Sequence, residues 1–186
     1  MRAKFLSDLH LELSPLDVDL NKGEFDTVVL AGDIHKHTHG IEWASENFKD
    51  KRRIYVPGNH EFYGGHYQGL LKEMRECARI HGVDFLNRNV CIIEDVCFIG
   101  CPLWTDFRLF GLEQRGESMR MASKCMLDFF DIRFSHMGYL TPMLSAQLHQ
   151  EYREWIDATL DNFKEYKRVV VTHHGPLLES VSQRYM

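Results

Sequence analysis

Residues 26–35 read DTVVLAGDIH, an apolar run that ends on a glycine and then delivers an acid and a histidine. Three further stretches repeat this plan. AKFL (3–6) leads into Ser7-Asp8-Leu9-His10, RRIYVPG (52–58) into Asn59-His60-Glu61, and RVVVT (168–172) into His173-His174. Short runs rich in Val and Ile, bounded by Gly or Pro, read as strands buried on both faces. Between them the pattern turns helical. Helices are predicted over 40–48 and, as an amphipathic one, over 67–80 (YQGLLKEMRECARI). Thr141-Pro142 is an N-cap with Pro at the first helical position. Beyond it Leu144, Leu148, Tyr152, Trp155, Ile156, Leu160 and Phe163 form one apolar stripe. NVCIIE and VCFIGC flank Asp95 and predict a hairpin in a second sheet. Residues 114–136 read as helical first and irregular later. Strands alternating with helices give an α/β domain with a largely parallel sheet.

A chain of 186 residues suits one domain, taken as 1–186, with a substantial core. With 44% hydrophobic and 26% charged residues, it has the balance of a globular protein. The net charge of −5 argues against nucleic-acid binding through a broad basic surface, though a small phosphate-bearing substrate stays compatible. No apolar run is long enough to cross a bilayer, and the N-terminus lacks the pattern of a signal peptide. Cys77, Cys91, Cys97, Cys101 and Cys125 form no CxxC pair, which places idle thiols in a reducing cytoplasm.

In an open α/β sheet, ligands bind beyond the carboxyl ends of the strands. That rule brings Asp8, His10, Asp33, Asn59 and His173 to one sheet edge. Oxygen and imidazole donors without a thiolate suit a divalent cation such as Mn, Fe, Zn, Ni or Co. In extended chain, Asp8 and His10 share a face while Leu9 turns inward. Gly32 and Gly58 allow close backbone turns, and Pro57 fixes the approach to one of them. Each cluster alone is an ordinary strand end, cap or turn; four in this order point to a metal centre.

D-L-H, G-D-I-H, G-N-H-E and T-H-H-G-P together resemble the calcineurin-like metallophosphoesterase family, whose ordered signature is D-x-H, G-D, G-N-H-[DE], H and finally G-H-x-H. The resemblance runs from Phe5 to Pro176. It implies a two-sheet metallophosphoesterase-like sandwich flanked by helices, holding two divalent metal ions that hydrolyse a phosphate ester. By the same resemblance, Asp8 and His10 are ligands of one metal and Asp33 bridges both. Asn59 and His173 are ligands of the second, and His60 is the catalytic residue that assists the leaving group. A water between paired cations becomes acidic enough to attack phosphorus. Glu61 either orients His60 or is a plain cap. His174 lies one peptide further out, near substrate. His35, two residues past the bridge, and Arg108 are further candidates for substrate contact. For Arg108 a salt bridge with Asp106 is the plainer reading. Tyr63 with Gly64-Gly65 reads as a mobile rim.

The sequence departs from the family at two points. No G-H-x-H follows His173, so each metal is expected to lose one ligand and the second sheet its closing C-terminal strands. A shortened chain is the favoured explanation, with a second chain or local histidines (His35, His37, His39 or His66) as the others, although a solvated loop leading into a helix is the plainer reading of H-K-H-T-H. The sheet edge left open would invite a second copy or another chain to pair. Protein phosphatases of this superfamily carry a second Asp three residues after the bridge, paired with the His of G-N-H. Lys36 stands at that position, which favours a phosphodiester or small phosphomonoester as substrate. A metal-binding remnant acting as an interaction domain is the competing function.

Overall fold

Four parallel strands, β1 (Ala3–Leu6), β2 (Thr27–Ala31), β3 (Arg52–Val56) and β4 (Asp84–Phe85), lie side by side in chain order. The computed structural model describes residues 1–136 and 138–181. Helix α1 (His39–Asn47) connects β2 to β3, and α2 (Tyr67–His81) connects β3 to β4. Parallel neighbours need such crossovers, and the helical periodicities at 40–48 and 67–80 supply them. A second sheet opens with the antiparallel hairpin of β5 (Asn89–Ile93) and β6 (Val96–Cys101), turning at Asp95 as predicted. The chain then passes through α3 (Arg115–Cys125) and α4 (Asp128–Asp131). A small ribbon of β7 (Arg133–Ser135) and β8 (Gly138–Tyr139) precedes α5 (Pro142–Asn162). Last comes β9 (Lys167–Thr172), parallel to β6.

Alternation along β2 and β3 explains the layering. Val28, Leu30 and Tyr55 join the larger core with Ile41, Leu71 and Met74 of the helices. Val29, Ile54 and Val56 point the other way and meet Phe98 and Val171 of the second sheet. The fold is therefore an α/β sandwich of two sheets with helices alongside.

Two expectations need correction. β9 does not extend the first sheet; it pairs with β6 in the second, so His173 reaches the site from across the sandwich. Nor are all four runs buried on both faces. β1 and β9 each end their sheet's strand order, and Phe5 is 55% and Val170 41% exposed. An edge strand has one neighbour fewer to cover it.

Register aligns the strand ends. Leu6 pairs with Leu30 and Leu30 with Tyr55, so Asp8, Asp33 and Asn59 emerge at similar height from adjacent strands.

The Thr141 hydroxyl accepts a 3.2 Å hydrogen bond from the Leu144 amide, capping α5 as read from the sequence. This helix buries Tyr152, whose hydroxyl donates to Asn87 Oδ1 at 2.7 Å. Thr141→Ala should lower the unfolding free energy by about 1 kcal/mol in urea titrations, with metal content unchanged.

Candidate metal centre

Asp8 and His10 are brought together by a turn, not by the extended alternation expected from their spacing. Their φ angles are +54° and +46°, in the left-handed region. Three backbone hydrogen bonds hold this turn against the strand end beside it: Asp8 N–H to Gly32 O (3.1 Å), His10 N–H to Asp33 O (3.0 Å) and Leu11 N–H to Ile34 O (3.0 Å). His10 Nε2 consequently lies 3.8 Å from Asp8 Oδ1 and 3.9 Å from Asp33 Oδ2.

The glycine reading holds with specific distances. Gly32 has φ +86°, and a Cβ there would lie 2.5 Å from His173 Nδ1. A Cβ on Gly58 would collide with the Asp33 carboxylate. Glu61, fully buried, does neither of the things its position suggested. One oxygen accepts from the Asp33 and Gly58 amides at 3.1 and 2.8 Å; the other accepts from the Ile34 amide and the Tyr55 hydroxyl at 3.1 and 2.6 Å. It fastens the two turns to each other. Burial, then the neighbouring Asp33 charge, raises its pKa.

Asp33 sits between two donor sets. Its Oδ2 faces His10, and its Oδ1 lies 3.5 Å from His173 Nε2. The His60 amide donates to that same Oδ1 at 2.9 Å. His173 Nδ1 bonds the Ala31 carbonyl at 3.0 Å, which leaves Nε2 facing Asn59 Oδ1 at 3.1 Å and Asp33. The Asn59 amide nitrogen donates to Tyr63 Oη (2.9 Å) and Asp128 Oδ1 (2.7 Å), so its oxygen is turned toward His173. Asp8, His10, Asn59 and His173 thus gather around the Asp33 carboxylate.

A sequence model of the calcineurin-like phosphoesterase family matches residues 1–185. The chain belongs to the calcineurin-like phosphoesterases. Uncharacterized protein L509 of Acanthamoeba polyphaga mimivirus is 25% identical over 201 residues, spanning 94% of this chain and 68% of that protein. The crystal structure of phosphopantetheinyl hydrolase from Mycobacterium tuberculosis superposes with a TM-score of 0.69 at 19% identity, covering 96% of this chain and 70% of that one. The latter likeness concerns the fold.

Calcineurin-like phosphoesterases are hydrolases that use divalent metals, and the donors here fit one. Ligand atoms of Asp8, His10 and Asp33 lie within 4.8 Å of one another. A second such group is His10, Glu12 and His60. Glu12 was not singled out in the sequence, although it continues the spacing of Asp8 and His10. Its Oε1 is 2.7 Å from His60 Nδ1 and 3.5 Å from His10 Nδ1. Asp128 was also missed; it lies 69 positions from Asn59 and carries no local signal. Tyr63 is no mobile rim. It is 6% exposed, and its hydroxyl donates to Asp128 at 2.7 Å.

His174 donates from Nδ1 to Pro102 O at 3.0 Å, and burial, then the adjacent His173, pushes its pKa down to about 4. With Trp104, Arg108 and His149 it lines a cavity of about 860 Å³. Arg108 keeps its Nε 3.7 Å from Asp106 Oδ2, the plainer of its two readings. His35 lines a separate cavity of about 530 Å³ with Leu11 and Trp43. Its Nδ1 is buried without a partner among the described residues. His37 bonds the Tyr63 carbonyl at 2.7 Å, and His39 begins α1.

Burial alone would lower the His173 pKa, but the hydrogen bond and charge of Asp33 prevail and push it up to about 9. Imidazole binds metal only when neutral, so a cation must displace that proton. Mn affinity measured by calorimetry should weaken as pH falls from 8 to 6, by up to about tenfold per unit, with proton release on binding. A flat profile would remove His173 from the ligand set. Glu61→Gln places an NH₂ against backbone donors and should cost about 2–4 kcal/mol in urea unfolding.

Proposed function

We propose that the chain hydrolyses a phosphodiester or small phosphomonoester with two divalent metal ions. Asp8, His10 and Asp33 hold one, and Asp33, Asn59 and His173 the other, with Asp33 shared. The observation that carries this reading is Asp33 itself, whose two oxygens face different donor sets at 3.9 and 3.5 Å. When bound, such a pair supplies Lewis acidity to the phosphoryl oxygens and an acidified water. Mn, Fe, Zn, Ni or Co suit the oxygen and imidazole donors. His60 sits with Nε2 3.8 Å from Asp33 Oδ2, at the margin of the site, where a leaving oxygen would accept its proton. His174, neutral and facing the larger cavity, is placed to touch the substrate beyond the phosphate. Arg108 at that cavity and His35 at the smaller one are the outer contacts. Lys36, where protein phosphatases carry Asp, weighs against phosphoprotein substrates.

A second reading rests on the ligand count. Each set offers three protein groups among the described residues, which suits a metal-binding interaction domain as well as an enzyme.

Turnover of bis-p-nitrophenyl phosphate with Mn, together with elemental analysis, separates the two. About two metals per chain with turnover is the expected result; metal without turnover favours the interaction domain. Asp33→Asn should empty both sites together and reduce turnover by at least about 100-fold. Full metal retention in that variant would contradict a shared carboxylate.

A further inference from the structure

We infer that Glu12 is the positioning residue for His60, supplying from the β1 turn the carboxylate that Lys36 does not provide. This rests on the phosphoesterase reading and adds to it the partner of its general acid. Glu12 has only 7% of its side chain exposed, and its Oε1 lies 2.7 Å from His60 Nδ1. A carboxylate only accepts at this distance, so Nδ1 carries the proton and the ring is held with Nε2 toward Asp33. The ring itself is braced on two sides, 4.4 Å from His10 and 4.3 Å from Tyr63 between centroids. With Nδ1 committed to the Glu12 carboxylate, Nε2 is the ring nitrogen left to exchange a proton with the leaving oxygen.

The step balances as follows. A water-derived hydroxide forms its bond to phosphorus, and the bond to the leaving oxygen breaks with its electron pair on that oxygen. The Nε2 proton passes to it, and the water that renews the hydroxide returns a proton to His60. Help of this kind matters most for a strongly basic leaving group.

The other polar atoms nearby fit a role in orientation. Oε1 is also 3.5 Å from His10 Nδ1, so a single oxygen faces both rings. Glu12 Oε2 and His10 Nδ1 have no hydrogen-bond partner among the described residues. The orphaned Oε2 leaves the His60 bond as the one strong contact of this carboxylate.

The test compares Glu12→Gln with wild type, both Mn-loaded, on bis-p-nitrophenyl phosphate and on diphenyl phosphate, whose leaving group is more basic. The expected loss is about 10–100-fold on diphenyl phosphate and less than about threefold on the nitrophenyl ester. Metal content should be unchanged. In a His60→Asn background, Glu12→Gln should cost nothing further on either ester. In the metal-free protein, ¹⁵N NMR should show His60 protonated at Nδ1 in wild type, with that preference lost in Glu12→Gln. Equal losses on both esters, a parallel loss of metal, or an undiminished effect in the His60→Asn background would overturn the assignment. A loaded wild type that turns over neither ester would instead overturn the phosphoesterase reading, and this inference with it.

Discussion

One buried carboxylate holds the site in shape. Glu61 takes four hydrogen bonds, three from backbone amides on two separate turns and one from Tyr55. A carboxylate removed from water is costly unless its lone pairs are satisfied, and here each oxygen has two donors. Because the amides of Asp33, Ile34 and Gly58 do the binding, the Asp33 carboxylate is left to face His10 and His173. The scaffold is thus specified through the backbone, and the chemistry through side chains that the scaffold does not consume.

The same region concentrates unusual backbone. Asp8, His10 and Asp33 all have φ near +50°, alongside Gly32 at +86°. Left-handed conformations cost a non-glycine residue roughly 1–2 kcal/mol each, and such residues gather where function requires them. Cross-strand hydrogen bonds from Asp8, His10 and Leu11 offset part of that cost. The consequence is that two carboxylates and an imidazole approach one another more closely than a regular strand end would allow.

The sequence disclosed the donors but not their supports, and the reason is physical. Strands β1, β2, β3 and β9 are local apolar runs, and each donor lies within four residues of one, so short-range pattern located them. Which sheet β9 joined depended on pairing with β6, about 70 positions away, for which no local rule exists. The alternation invoked for Asp8 and His10 failed because hydrogen bonds to a neighbouring strand override the intrinsic preference of a four-residue segment. Asp128 and Tyr63, which orient Asn59, are united only by the tertiary fold. Glu12 is the instructive middle case. It continues the two-residue spacing of Asp8 and His10, yet its partner, His60, comes from the turn beyond β3.

His173 belongs to the second sheet but bonds the carbonyl of Ala31 at the end of the first. The donor cluster accordingly straddles the seam between two hydrophobic layers. A cation gripped there would act as a rivet, resisting any sliding of one layer over the other. Its binding energy would then be shared with folding itself, growing with free cation concentration as any ligand of the native state does. Starvation for metal would loosen the sandwich at its seam before it disturbed either sheet alone.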